Sequence, residues 1–261
     1  MKVSEAQPER SVSVITVAKD AAATLPATIA SVLEQTGVDV EYIIIDGGSD
    51  DGSKAILECF EEHVDIIVSE PDDGIADAMN KGLSLAHGEW ILFLGADDRF
   101  MSSTSLADLF GHATRCGADI LSGSVLIEQT AGEAVRLDPR GFDYRANFKT
   151  PLLHQGALCR RRVFSALGGF DTSLTITMDY DFFLRAYRAG EQVCVVDELV
   201  AVMGAGGIGS RTDWPVLQRR FREEQWVRLR HCESVWLRLF FRVLFVCYLG
   251  YRRWLRPVLV G

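Results

Sequence analysis

The chain has 261 residues, 48% hydrophobic and 24% charged, which suits one larger globular domain, or one domain with an appendage, and excludes a disordered chain. Its net charge of −9 is segregated: from Arg211 to Gly261 eleven arginines stand against four acidic residues, a surplus of seven positive charges, which leaves −16 on the first 210 residues. So acidic a body argues against nucleic acid as a partner, while a basic, apolar C-terminal segment suits an anionic membrane surface.

The opening MKVSEAQPERS lacks the apolar core of a signal peptide, so export is not expected. Ser11 to Val17 (SVSVITV) is a β-branched run that predicts a strand, and Leu25, Ile29, Val32 and Leu33 predict a helix between Ala21 and Gln35, stopping near Gly37. Val40 to Ile45 predicts a second strand, followed by the loop DGGSDDGS and a helix from Ser53 to about Glu62. A third strand is expected at Asp65 to Val68, a helix at Ile75 to Ala86 and a fourth strand at Trp90 to Leu94. Beyond Phe100 the signals weaken: a helix around Ser105 to Cys116, strand-like pieces at 120 to 127, little to about Arg160, and a helix at Asp181 to Ala189. Cys59, Cys116, Cys159, Cys194, Cys232 and Cys247 lie far apart and form no C-x-x-C pair, so they read as reduced core thiols of a cytosolic protein.

Apolar strands alternating with helices imply an α/β fold with a mostly parallel sheet covered on both faces, and in such sheets ligands sit at the carboxyl ends of the strands. Three loops lie at such ends: VAKD (17 to 20), DGGSDDGS (46 to 53) and GADD (95 to 98). Asp46 is placed to accept hydrogen bonds from a nucleobase or ribose, or to cap a turn, while Asp50 and Asp51 are the better helix caps. Asp97 and Asp98 offer the hard oxygens that Mg2+ or Mn2+ takes, or form a turn with two solvated acids. Asp179, at the start of the helix in TITMDYDFFLRA, suits a general base or a helix cap.

Taken in order, SVITVAKDAAATLPATIASVLEQ, YIIIDGGSDDGS, SEPDDGIADAMNKGLSLAHGEWILFLGADD, HQGALCRR and MDYDFFLR resemble the inverting glycosyltransferases of family 2, over residues 11 to about 210. The resemblance implies a GT-A fold, with a nucleotide-binding half (11 to 100) and an acceptor half (101 to 210). It also implies metal-dependent transfer, with inversion, from a nucleoside diphosphate sugar to a hydroxyl. By position, Val17, Lys19 and Asp46 would contact the nucleoside, with Asp72, Asp77 and Lys81 lining the donor pocket. Asp98 would be the chief ligand of Mn2+ or Mg2+, with Asp97 beside it near the ribose or donor sugar. Asp179 matches the base, although Met178 stands where a Glu often precedes it, and His154 and Gln155 match a pair on the acceptor side. GAGGIGSR, Gly204 to Arg211, resembles a loop that closes over the diphosphate, where Arg211 would pair with phosphate, or else is a glycine-rich linker. The family implies a UDP-sugar ahead of a GDP-sugar, and a glycan or lipid-linked acceptor in cell-surface polysaccharide synthesis.

Residues 211 to 261 are expected to form a basic amphipathic helical tail. Its apolar run from Ser234 is broken by Arg238 and Arg242 and followed by Arg252, Arg253 and Arg256, which disfavours a spanning helix and suits one lying in the interface, with a helix packed on the domain as the alternative. The expected setting is the cytoplasm, peripheral at the inner face of the membrane. Two rival readings are a nucleotide-sugar-binding assembly partner without catalysis, which Asp98 and Asp179 together argue against, and a sugar nucleotidyltransferase, whose glycine-rich triphosphate loop VAKDAAAT does not supply.

Overall fold

Four N-terminal strands lie side by side and parallel because each is mostly apolar on both faces and successive strands are joined by a helix that returns the chain across the sheet. In this computed structural model, which describes residues 11–128, 134–204, 206–207 and 213–250, they are β1 (Val12–Ala18), β2 (Val40–Asp46), β3 (Ile66–Ser69) and β4 (Trp90–Gly95). They stand in the order β3-β2-β1-β4. Ala18 is opposite Asp46, Asp46 opposite Ser69 and Val17 opposite Gly95, so the carboxyl ends form one edge.

Helices α1 (Leu25–Leu33), α2 (Ser53–Cys59) and α3 (Ile75–Leu85) make the connections. Helix α1 begins later than its apolar spacing predicts because Pro26 occupies its first turn, where a missing N–H costs nothing. The pleat sends alternate side chains into two cores. Val14, Tyr42, Ile44, Trp90 and Leu92 pack with Leu25 and Ile29 of α1 on one face. Ile15, Ile43, Ile45, Ile91 and Phe93 pack with Met79 of α3 on the other.

The rest of the sheet mixes directions. It is built from β5 (Arg99–Phe100), β6 (Ile120–Glu128), β7 (Ala134–Leu137), β8 (Ala157–Arg160) and β9 (Val193–Met203), and runs on from β4 as β8-β6-β9-β5 with β7 beside β6. Strand β8 is antiparallel to both β4 and β6, whereas β9 runs parallel to β6. The helix expected over Ser105 to Cys116 is two, α4 (Ser105–Phe110) and α5 (Ala113–Cys116), separated at Gly111, a poor helix former. Helices α6 (Arg161–Leu167) and α7 (Met178–Ala189) precede β9.

One expectation is corrected. Cys116, at the end of α5, and Cys194, on β9, form a disulfide with Cα atoms 6.1 Å apart, and Cys59 and Cys247 are exposed, so the six cysteines are not all reduced core thiols. The pair was hidden because its members are 78 residues apart and meet only when α5 packs beside β9.

The basic segment forms α8 (Trp214–His231) and α9 (Val235–Gly250). Helix α8 is bonded to α7 and its approach through Glu223 and His231, and α9 buries Phe241 against Phe148, ring centroids 5.4 Å apart. Most other apolar side chains of α9 stay outside: Val235, Trp236, Leu239, Phe240, Val243 and Val246 are all exposed. No described helix is long and apolar enough to cross a membrane. The arginines at 252, 253 and 256 lie outside the described residues.

Candidate active site

Where β1 and β2 end, their loops are laced together. The amide of Gly47 donates to the carbonyl of Ala18 at 2.8 Å, the Asp20 amide to Ser49 Oγ at 2.8 Å, and the Asp50 amide to Asp20 Oδ1 at 3.0 Å. Asp51 accepts from the amides of Ala22 and Ser53, so it holds the start of α2 to the first loop. Asp46 is fully buried: the hydroxyls of Ser49 and Ser69 and the amide of Ser49, three residues on, all donate to it, so its carboxylate holds the loop after β2. Val17 is half-buried beside this edge and Lys19 is exposed at its lip.

Asp72 folds over the same edge. Its carboxylate accepts the Gly74 amide at 3.0 Å and lies where a side chain on Gly47 would stand, with a Cβ there only 2.1 Å from Oδ2. Lys81 pairs with Glu70 at 3.0 Å and with Asp77, one helical turn earlier, at 3.3 Å. The Asp73 amide and Lys81 hold the Asp77 carboxyl below its usual range.

At the end of β4 the chain turns back on itself. The Gly95 amide donates to Asp98 Oδ2 at 3.0 Å, the Gln155 amide group to the same oxygen at 3.1 Å, and the Gly204 amide to Oδ1 at 3.1 Å. Oδ2 is filled by two bonds, and Oδ1 keeps one acceptor position among the described residues. Burial, then the charge of Asp97, push the Asp98 carboxyl above its usual range. Oδ2 of Asp97 is buried and accepts no hydrogen bond among the described residues. It faces the glycines of GAGG: a Cβ on Gly204 would lie 2.4 Å from the Asp97 carbonyl oxygen, and one on Gly206 3.4 Å from Oδ2. Arg211, the last residue of that motif, lies outside the described residues.

A divalent cation fits this pair. The donors are hard carboxylate oxygens, one is unpartnered, and a positive charge would relieve both the repulsion and the burial of Asp98. No group of three or more His, Cys, Asp or Glu ligands exists among the described residues. Two carboxylates with the other positions left to phosphate and water is the pattern Mg2+ adopts with phosphate substrates.

Residues 154 and 155 adjoin this pair. His154 and Gln155 occupy a 3-10 turn, His154–Gly156, just before β8. Gln155 bonds to Asp98, while His154 Nδ1 lies 3.7 Å from Asp179 Oδ2. Asp179 is in the first turn of α7 and partly exposed. Two consecutive residues thus join the carboxylate pair of β4 to the carboxylate of α7.

A model described as glycosyl transferase family 2 matches residues 13–167. The chain belongs to that family. A PGL/p-HBAD biosynthesis glycosyltransferase of Mycobacterium bovis is 34% identical over 182 residues, 67% of this chain and 69% of the relative. A glycosyltransferase of Mycobacterium tuberculosis is 32% identical over 216 residues, 77% and 78% of the two chains. Among solved structures, residues 1–349 of Staphylococcus aureus TarS superpose with a TM-score of 0.67 at 17% identity, covering 94% of this chain and 75% of that one. The Pyrobaculum calidifontis mannosyltransferase PcManGT, in complex with GDP-Man and Mn2+, gives 0.66 at 18%, covering 91% and 70%. The protein is a glycosyltransferase with the GT-A fold.

One contributor to this candidate site, Thr28, escaped sequence reasoning, and two others, Gly204 and Asp181, stood in motifs already noted but with partners no local signal shows. Thr28 of α1 donates its hydroxyl to the carbonyls of Ala96 and Asp98, at 3.0 and 2.7 Å, which pins the GADD turn from behind. The Gly204 amide reaches Asp98 from the end of β9, a strand with no sequence forecast. Asp181, fully buried on α7, accepts from Arg185 Nε at 2.8 Å and lies 2.9 Å from His231 Nε2 of α8. Burial raises its carboxyl, but His231 and Arg185 together hold it below the usual range. The signals available were the acidic pair Asp179 and Asp181 and the i,i+4 spacing of Asp181 and Arg185.

Proposed function

We propose that this glycosyltransferase moves a sugar, with inversion, from a nucleoside diphosphate sugar to a hydroxyl of a glycan or lipid-linked acceptor, in the assembly of a cell-surface polysaccharide or glycolipid. The observation that carries the reading is the junction at residues 154 and 155, where His154 meets Asp179 and Gln155 bonds to Asp98. A nucleotide held at the edge of β1, β2 and β4 has its diphosphate beside Asp97 and Asp98, and a hydroxyl arriving by α7 meets Asp179.

Asp179 takes the proton of the acceptor hydroxyl as that oxygen attacks the anomeric carbon and the diphosphate leaves from the opposite face. His154 stands beside the Asp179 carboxylate, within reach of the incoming hydroxyl. Asp98 and Asp97 would hold Mn2+ or Mg2+, which supplies charge stabilisation for the departing diphosphate. Val17, Lys19, Asp46, Asp72, Asp77 and Lys81 shape the donor pocket, Asp46 by fixing its floor through Ser49 and Ser69. Arg211 would pair with phosphate oxygens. A UDP-sugar is proposed ahead of a GDP-sugar, and the titration with both nucleotides decides between them. The exposed apolar side chains of α9, with Arg238 and Arg242 among them, suit peripheral contact with the cytoplasmic face of a membrane through residues 234–261.

The test is Asp179→Asn assayed with UDP-glucose, UDP-galactose, UDP-N-acetylglucosamine and GDP-mannose, following release of the nucleoside diphosphate, beside calorimetric titration with UDP and GDP in Mn2+. Turnover should fall by about a thousandfold or more with nucleotide affinity unchanged. Wild-type turnover in this variant removes Asp179 from the chemistry.

A further inference from the structure

The segment that delivers Asp179 has no acidic side chain of its own to brace it: Thr175, Ile176, Thr177 and Met178 lead into α7, and Met178 is buried. The brace comes from α8. Oε1 of Glu223 accepts the amide and hydroxyl of Thr175 at 3.2 and 2.5 Å. Oε2 accepts the amides of Ile176 and Thr177 at 2.8 and 3.1 Å and the Thr177 hydroxyl at 3.4 Å. One carboxylate thus gathers three consecutive amides and two hydroxyls two residues before Asp179. Thr177 is the N-cap residue of α7 but makes no side-chain cap. Its carbonyl accepts the Asp181 amide at 3.1 Å, which starts the helix.

The other side of Asp179 is held from the same helix. His231 ends α8 and meets Asp181, whose second oxygen is taken by Arg185, and the Arg185 guanidinium reaches the carbonyls of Leu167 and Gly169. Asp179 itself has little to hold it. Its Oδ1 accepts only the amide of the next residue, Tyr180, among the described residues, and its Oδ2 is 3.7 Å from His154. The direction of its side chain is therefore set by the backbone that Glu223 fixes.

We infer that Glu223 is a positioning residue for Asp179, supplying from the C-terminal helix the acidic brace that the segment before the base lacks. The inference rests on the reading of Asp179 as the base. It makes α8 part of the catalytic apparatus.

The test uses the full chain with the same four sugar nucleotides and Mn2+, comparing Glu223→Ala, Glu223→Gln and Asp179→Asn, and Glu223→Ala combined with Asp179→Asn. Glu223→Ala should lower kcat by about tenfold to a hundredfold with the KM for the donor changed by less than about twofold. In the Asp179→Asn background the same substitution should leave the residual rate unchanged, since no base remains to be positioned, whereas general damage to the fold would lower both rates. Hydrogen exchange at the amides of Ile176 and Thr177 should quicken by about tenfold or more. Glu223→Gln keeps the shape and one acceptor oxygen, covers the case in which the alanine variant does not fold, and should lose kcat by about threefold or more. Full kcat in either Glu223 variant, an equal loss in the Asp179→Asn background, or unaltered exchange overturns the positioning role while leaving Asp179 as the base. Wild-type turnover in Asp179→Asn overturns the base itself, whatever Glu223 does.

Discussion

The side-chain amide of Gln155 donates to Oδ2 of Asp98 at 3.1 Å, and both residues are buried. That contact fixes the turn before β8 to the turn after β4, so it aligns residues 154 and 155 with the carboxylate pair. Gln155→Ala leaves a buried carboxylate short of a donor, at a cost of about 1–3 kcal/mol. If Asp98 holds a cation under the diphosphate, loss of this second-sphere contact should weaken Mn2+-dependent UDP binding by about tenfold to a hundredfold. Calorimetric titration with UDP and Mn2+ measures the change, and an affinity equal to wild type would show the contact to be idle.

Asp97 sets up a trade between stability and function. Its Oδ2 is buried and unpartnered among the described residues, and its charge adds to burial in raising the carboxyl of Asp98. Asp97→Asn removes the repulsion, so the metal-free variant should be the more stable by about 1 kcal/mol, or roughly 2–4 °C in melting temperature. It should also lose most of the further rise that Mn2+ and UDP give the wild-type chain. Melting curves with and without Mn2+ and UDP decide; a variant that melts lower without metal, yet responds to it fully, would speak against a cation between these residues.

The pH dependence of that response has a fixed sign. A raised folded-state value means that folded Asp98 keeps its proton at a pH where the unfolded chain has lost it. Wild-type stability without metal should therefore fall as pH climbs from the ordinary carboxylate range through the raised value. A cation competes with that proton, so the stabilisation by Mn2+ should grow across the same window. A Mn2+ effect that is flat with pH, or greatest at the acid end, would refute this.

Asp181 behaves in the opposite sense. Its carboxyl lies below the usual range because His231 and Arg185 outweigh burial, so its stabilisation is complete above the unfolded-state value and is lost as pH falls through the depressed one. Asp181→Asn should cost about 3–5 kcal/mol near neutral pH, because it leaves Arg185 without its buried partner. The gap from wild type should close as both are acidified. Denaturant titrations at several pH values measure it, and a gap that persisted at low pH would mean that lost packing, not lost charge, explains the variant.

The parallel first half of the sheet was legible because its signals are local. β1, β2 and β4 are each apolar on both faces, and each ends in a polar loop that the parallel register brings to one edge. Asp46, Asp97 and Asp98 could be placed at that edge from strand ends alone. The second half was obscure because its order comes from distant partners. β8 has four residues and no periodicity of its own, and β6 joins β9 with register shifts around Ser122 and Ser124. Glu223 and His231 stood in a segment that looked like a surface helix by its arginines, and nothing local shows that each faces α7. Cys116 and Cys194 were missed for the same reason.

Helix α9 carries the last prediction. Trp236 and Phe240 are four residues apart on one side of the helix, 80% and 53% exposed, whereas Phe241 is the ring turned inward. Arg242 stands among these apolar side chains, and Arg238 is tied back to the carbonyl of Cys232 at 2.6 Å. An apolar face with cations at its edge should bind vesicles of phosphatidylglycerol and phosphatidylethanolamine, and bind them less well as salt is added. Trp236→Glu combined with Phe240→Glu removes two large apolar groups worth about 1.5–3 kcal/mol each on burial, so vesicle affinity should fall by more than about a hundredfold. Turnover of the sugar nucleotide in free solution should not change, because neither side chain reaches the carboxylates at 97, 98 and 179. Vesicle flotation beside a turnover assay separates the outcomes. Undiminished flotation would show that α9 is not the membrane contact, and a wild-type dimer that the double variant converts to monomer would assign the face to a second copy of the chain.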